Sequence, residues 1–283
     1  HCQAAAARAK ALPNKVPNTP TPTDTTVKTT GEKILINDST LGEIWITELA
    51  NVPKNTLDKN NFSADANFKY YNVNGKAAST EGVDVSITTE LSTGKKVKGS
   101  AIGFAMIRIG GRGYGTEGTL YQDENAIKKI TEAKDNGIKV GVYFFSQAIN
   151  TDEAIEEANY VKDILGDIKL DYPIAYDWEI VKDDDARTDN VSAYEATECA
   201  RAFCQTVESN GYTASIYSPS RELYFKYDLS RLKDYDIWYC EYSDTPEFYY
   251  QFSMWQYTTA GKVDGIDGEV DLNICFTGIA DYA

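Results

Sequence analysis

From residue 82 to residue 273 the chain alternates strand-like runs with helical ones, and this alternation limits the folds open to it. Strand runs fall at 82–86, 104–109, 139–146, 174–179, 213–218, 236–242, 252–258 and 270–273. Between several of them lie helical stretches. Residues 124–136 run into Gly137, a helix-stop signal. Residues 151–165 carry Ala154, Ile155, Ala158, Val161, Ile164 and Leu165 at helical spacing and end at Gly166. Residues 192–209 form a third stretch, closing before Gly211. Eight strands alternating with helices predict an α/β fold, a parallel (β/α) barrel of the TIM-like kind. Residues 236–273 leave little room for full helices, so the barrel is expected to be irregular, its last strands joined by loops.

The first eighty residues differ in character. Residues 1–31 hold a small-residue run and then Pro13, Pro17, Pro20 and Pro22 among Thr and Asn. Such a composition cannot bury a core and reads as a flexible tail or linker. Residues 32–80 contain short strand-like runs, Ile34-Leu35-Ile36, Glu43-Ile44-Trp45-Ile46-Thr47 and Phe68-Lys69-Tyr70-Tyr71. The turn signal Asn72-Val73-Asn74-Gly75 follows. A small β-rich N-terminal extension is expected there, with the barrel over 81–283.

Charge and rare residues exclude several functions. With 28 basic and 43 acidic residues the net charge is −15. Such a surface is a poor partner for nucleic acid or anionic membranes. No run of eighteen apolar residues occurs, so no membrane-spanning helix is expected. The chain has one histidine, His1. Ser-His-Asp and Cys-His catalysis need an internal imidazole. Zinc hydrolases usually need several, and a copper site at His1 would want a second. No metal and no cofactor are therefore expected, and carboxylates are left as the reactive groups. The five cysteines are odd in number and lack CxxC spacing, so most are expected to be buried free thiols.

The acids fall where a barrel would use them. Tyr176-Asp177-Trp178-Glu179 closes an apolar run, and the two-residue repeat of a strand turns Asp177 and Glu179 to one face. Adjacent carboxyls repel when both are charged, so one tends to keep its proton and can serve as an acid. The pattern alone is weak, since about six acid-x-acid triplets arise by chance in so acidic a chain. Place makes it specific: Asp84 lies in the first barrel strand and Asp271 in the last. Catalytic groups of such barrels sit at the carboxyl ends of the strands. A capping role for Asp84 or Asp271 is the plain alternative. Tyr143, Phe145, Tyr217, Trp238, Tyr242, Trp255 and Tyr257 also collect at strand ends, where rings could stack on sugar faces or simply pack the core. Arg108, inside the apolar run Met106-Ile107-Arg108-Ile109, needs an anionic partner, which the rim acids would provide.

These residues resemble a known family. The matching pieces are Gly82-Val83-Asp84-Val85-Ser86, Phe104-Ala105-Met106-Ile107-Arg108 with Gly113-Tyr114-Gly115, residues 136–146 and residues 173–179. Ile216-Tyr217-Ser218, Trp238, Met254-Trp255-Gln256-Tyr257-Thr258 and residues 265–273 complete the series. Residues 81–283 thus resemble the family 25 glycoside hydrolases, the Chalaropsis-type lysozymes. The resemblance implies a secreted or cell-surface N-acetylmuramidase that cleaves, with retention, the β-1,4 bond between N-acetylmuramic acid and N-acetylglucosamine. Peptidoglycan glycan strands would be its partner, and the enzyme is expected to act as a monomer. By position Glu179 resembles the general acid/base and Asp177 its partner, with Asp84 and Asp271 the other acids of the site. Arg108, Tyr143, Phe145, Tyr217, Trp238, Trp255, Gln256 and Tyr257 are the expected substrate-binding residues. Whether an Asp or the sugar's own acetamido group attacks stays open. One departure stands out: after the first strand the family usually has an aromatic or His, then Gln-Gly and a distal Asp-Trp, whereas residues 87–94 read Ile-Thr-Thr-Glu-Leu-Ser-Thr-Gly. That alters a wall of the groove. A chitinase-like glycosidase and a catalytically inactive sugar-binding barrel are the rival readings.

Overall fold

A computed structural model describes residues 27–86, 97, 101–181 and 185–276. β1 (Thr29–Asp38) and β2 (Gly42–Leu49) form an antiparallel hairpin. β1 thus begins inside the stretch 1–31 expected to be tail. One face of the hairpin is apolar, and Ile34, Ile36, Ile44 and Ile46 join the main core. Its rim is pinned by polar contacts: Asp38 pairs with Arg221, the Tyr249 hydroxyl donates to Glu48, and the Leu49 amide donates to the Tyr250 hydroxyl. After one turn of 3-10 helix come β3 (Phe62–Ala64), β4 (Lys69–Val73) and β5 (Lys76–Ala77). Asn74 and Gly75 turn the chain between the last two with φ of 51° and 75°. That mirror-image turn is why this dipeptide signals a hairpin. Phe62 packs edge-on against Trp255 and Phe276, so the extension shares the barrel's core.

β6 (Ser79–Val85), β7 (Phe104–Arg112), β8 (Leu120–Gln122), α1 (Ala126–Asp135), β9 (Lys139–Ser146) and α2 (Thr151–Leu165) follow. Then come β10 (Ile174–Trp178), α3 (Ala193–Ser209), β11 (Ala214–Pro219), α4 (Ser220–Phe225), α5 (Leu229–Leu232), β12 (Asp236–Cys240), β13 (Met254–Gly261) and β14 (Val270–Phe276). The sheet order β6-β14-β13-β12-β11-β10-β9-β7 closes through β6–β7, with β8 added outside as an antiparallel partner of β7. This is the irregular eight-stranded barrel that the alternation implies. α1 runs into Gly137, Asn150 starts α2 and the Ser192–Glu195 capping box starts α3, so local chemistry sets these boundaries. Among the described residues no helix is long and apolar enough to cross a membrane.

One expectation fails. The barrel is not parallel throughout: β14 runs antiparallel to both β13 and β6. A parallel return takes a dozen or more residues, and the 262–269 link is too short for one. The reversal brings the start of β14 to the end of the barrel where the other strands finish.

Parity divides the side chains. Val140, Val142 and Phe144 of β9 face the helix layer, and Ile174, Tyr176 and Trp178 of β10 do the same. Inside, Phe104, Met106, Tyr172, Ala175, Trp238, Met254 and Cys275 form a separate cluster, with Tyr143 and Tyr217 packed on it. Phe104 stacks on Tyr172 with ring centroids 4.5 Å apart. This plug fills the barrel below the acids. Gly82 belongs to the same packing, since a Cβ there would meet the Phe104 ring at 2.3 Å. Gly82→Ala is expected to cost about 1–3 kcal/mol of stability by overpacking, read from denaturant unfolding. Cys199 and Cys204 are buried free thiols and Cys240 is a half-buried one, as expected for most of the cysteines; Cys275 is instead disulfide-bonded.

Candidate active site

β10 ends in Asp177-Trp178, and Glu179 follows directly after it. Trp178 turns outward and its indole donates to the Ala148 carbonyl at 3.3 Å. Asp177 therefore turns inward, in register with Phe145 of β9 and Tyr217 of β11. Asp177 is buried, whereas Glu179 is only half-buried. On the far side of the mouth Asp84 of β6 lies opposite Asp271 of β14. The antiparallel strand makes this pairing, because an acid near its start sits beside an acid near the end of β6.

A hydrogen-bond network ties the second pair down. Asp84 Oδ2 accepts from Gln256 Nε2 and from Asn273 Nδ2, each at 2.7 Å. Gln256 Nε2 also reaches Asp271 Oδ2 at 3.5 Å. The Gln256 carbonyl oxygen accepts from the Tyr217 and Tyr242 hydroxyls at 2.9 and 3.1 Å. Two donors on one face of the amide leave its NH2 turned toward the acids. The Trp238 indole in turn donates to Asn273 Oδ1 at 2.8 Å. Tyr143 and Tyr217 stand edge-on to Trp238, at 5.7 and 4.7 Å between ring centroids.

Burial is the main electrostatic force here. It pushes Asp177 well above the usual carboxylate range, and the neighbouring Glu179 carboxyl adds to the shift, with Asp84 behind it. Arg108 opposes this only in part. Asp84 is raised by burial and then by Asp271, against the two amide donors that favour its charged form. Asp271 is raised by burial as well, and its hydrogen bond to Asp84 pulls it back. The four acids thus form two close pairs in one electrostatic cluster, each pair holding a proton more tightly than isolated carboxyls would. Burial also keeps the Tyr143 and Tyr217 hydroxyls neutral, so they remain donors.

Most of the residues named from sequence meet at this mouth. Asp84, Asp177, Glu179, Asp271, Gln256, Tyr143, Phe145 and Tyr217 gather at it, and Trp238 forms its floor. Trp255 and Tyr257 do not. They flank Gln256 in β13, and when Gln256 points in, its neighbours must point out. The Trp255 indole donates to the Glu241 carbonyl, and Lys69 lies over both rings. Tyr257→Phe should therefore leave activity unchanged and cost about 0.5–1.5 kcal/mol of stability, through loss of its bond from the Lys69 amide. Arg108 differs as well. Its ion-pair partner is Asp123, at 2.9 Å, and not a rim acid. Asn273 joins the network without having been named for the site, and the exposed Tyr242, named only among the strand-end aromatics, joins it too. Asn273 stands two residues from Asp271 in one strand, a spacing that already puts both on one face. Residues 87–94, the altered groove wall, lie outside the described residues.

The family model of glycosyl hydrolases family 25 matches residues 83–266. The chain belongs to glycosyl hydrolase family 25. Asp84, Asp177 and Glu179 fall inside the matched segment, and Asp271 lies just beyond it. Among curated proteins this family member is similar to the autolytic lysozyme of Clostridium acetobutylicum, 27% identical over 166 residues. That alignment covers 58% of this chain and 48% of the relative, so the chain spans about half the relative's length. Solved structures show the same fold at low identity. The spore cortex lytic enzyme SleM of Clostridium perfringens aligns with TM-score 0.61 and 22% identity over 72% of this chain and 69% of its own. The modular autolysin LytC of Streptococcus pneumoniae, solved with a synthetic peptidoglycan ligand, gives 0.60 and 23% over 87% and 57%. The lysozyme of Streptomyces coelicolor gives 0.55 and 19% over 72% and 94%.

Proposed function

We propose that this chain hydrolyses the β-1,4 bond between N-acetylmuramic acid and N-acetylglucosamine in peptidoglycan, with retention, acting outside the cell or at its surface. The observation that carries the reading is the convergence of Asp84, Asp177, Glu179 and Asp271 on one mouth, the first two buried and the last two half-buried. Glu179, half-buried, just past a strand end and beside Asp177, is the general acid. It protonates the leaving glycosidic oxygen as the bond to the anomeric carbon breaks, then removes a proton from the attacking water. Asp177, Asp84 and Asp271 face the positive charge that develops on the sugar ring. The proton that the pair shares is on Glu179 when the bond breaks, which leaves Asp177 an acceptor. It can then orient either a 2-acetamido group for attack or the intermediate itself. Tyr143, Phe145 and Tyr217 offer ring faces and edges to the sugars. Family membership and the peptidoglycan-lytic relatives support the substrate class.

The test is product analysis. Purified walls should lose turbidity, and mass spectrometry should find fragments with N-acetylmuramic acid at the reducing end. Fragments ending in N-acetylglucosamine, or faster release of reducing sugar from chitin, would overturn the bond assignment. Binding to walls without any release would leave an inactive sugar-binding barrel. Early proton NMR of the product should show the β-anomer first, and an α-anomer would overturn retention.

A further inference from the structure

β10 ends at Trp178, which pairs with Ser146, the last residue of β9. Glu179 therefore stands one residue past the backbone ladder, where a strand end would ordinarily be free. A side chain continues the ladder in its place. Gln147, the residue after β9, is fully buried, and its Nε2 donates to the Glu179 carbonyl at 3.0 Å and to the Ser146 carbonyl at 2.9 Å. Its Oε1 accepts from the Thr188 hydroxyl at 3.0 Å. Thr188 is also buried, so the amide has no water with which to exchange partners. With Oε1 committed to a hydroxyl donor, the NH2 must face the two carbonyls.

The clasp is anchored further out. Arg187 donates to the Gln147 carbonyl at 3.1 Å and grips Glu153 with two bonds of 2.8 Å. Glu153 lies in the first turn of α2 and also accepts from the Ile149 amide at 3.0 Å. The Arg187 amide donates to the Tyr114 carbonyl, and its guanidinium fills the space beside Gly118, where a Cβ would lie 2.4 Å from it. The segments that follow β7, β9 and β10 are thus joined at one point, and that point holds the peptide of Glu179.

From this geometry we propose that Gln147, oriented by Thr188, is a positioning residue that fixes the Glu179 backbone and so aims its carboxyl at the scissile bond. The role rests on the proposed function, in which Glu179 is the acid. A carboxyl carried on two side-chain carbons is sensitive to the direction of its own backbone, and small misplacements of reacting groups are costly.

The test uses the full chain with Gln147→Met, of similar length and without polar groups, Thr188→Val, which removes the orienting donor, and Thr188→Ser, which restores it. Gln147→Met should lower kcat on peptidoglycan about 10- to 100-fold with KM nearly unchanged. Thr188→Val should act in the same direction, less strongly, and Thr188→Ser should recover wild-type kcat. The carbon-13 shift of the Glu179 carbonyl reads the clasp without turnover, and it should move in Gln147→Met. If wild type degrades no wall while the carbonyl shift moves as expected, the functional reading fails and the clasp stands. Wild-type kcat in both Gln147→Met and Thr188→Val, an unmoved carbonyl shift, or a loss carried by KM alone would overturn the positioning role. Should Gln147→Met fail to fold, Thr188→Val and its serine rescue decide.

Discussion

Glu179→Gln should lower wall hydrolysis about 10²- to 10⁴-fold, the range for loss of a positioned general acid. The substitution keeps the shape and leaves the backbone carbonyl in its bond with Gln147. The unfolding temperature at neutral pH should not fall, because the side chain is half-exposed and the barrel core does not involve it. A second effect separates this result from simple damage. Glu179 is, after burial, the largest influence that raises Asp177. With Gln at 179, Asp177 should titrate at lower pH, and carbon-13 NMR of the Asp177 carboxyl measures it. Near-normal turnover in the variant would remove Glu179 from its role.

Asp177→Asn should lower kcat about 10²- to 10³-fold, as losing a group matched to transition-state charge does, and yet stabilise the fold at neutral pH. The sign follows from proton linkage. Asp177 has a raised pKa when folded and an ordinary one near 3.9 when unfolded. The native state then binds more protons, so stability falls as pH rises from the unfolded value toward the folded one. Above that window the buried carboxyl destabilises the protein, and Asp177 Oδ1 has no hydrogen-bond partner to offset this. Asn removes the charge. Melts at pH 7 should show the variant above wild type, by about 2–4 °C for each kcal/mol gained. The difference should vanish near pH 3, where both states of wild type are protonated. A variant less stable than wild type at pH 7 would show that Asp177 is held by contacts worth more than its burial costs. Asp84→Asn should behave alike, since an Asn carbonyl can still accept from Gln256 and Asn273.

Much of this arrangement could be read from residues alone, for identifiable reasons. β9 and α2 are bounded in the sequence by changes of period and by caps, and those boundaries survive in the structure. The acids were legible because each interrupts an apolar strand. Strand direction was not legible. Parity along 270–273 is the same whichever way the strand runs, and only the short 262–269 link marks the reversal. Trp255 and Tyr257 went astray because they were read as mouth aromatics from their place at a strand end, while the alternation around Gln256 already sent them outward. The partner of Arg108 lies fifteen residues away, on a short hairpin strand's far side, and no local pattern marks such a contact. Gln147 and Thr188 are ordinary residues whose pairing arises only from the closing of the barrel.

The reversed last strand also decides where the barrel's own first and last strands meet. Ser79 and Phe276 are cross-strand neighbours at the base, a full strand length from the acids. The N-terminal extension joins the barrel at Ser79, so that link too lies at the end away from the acids.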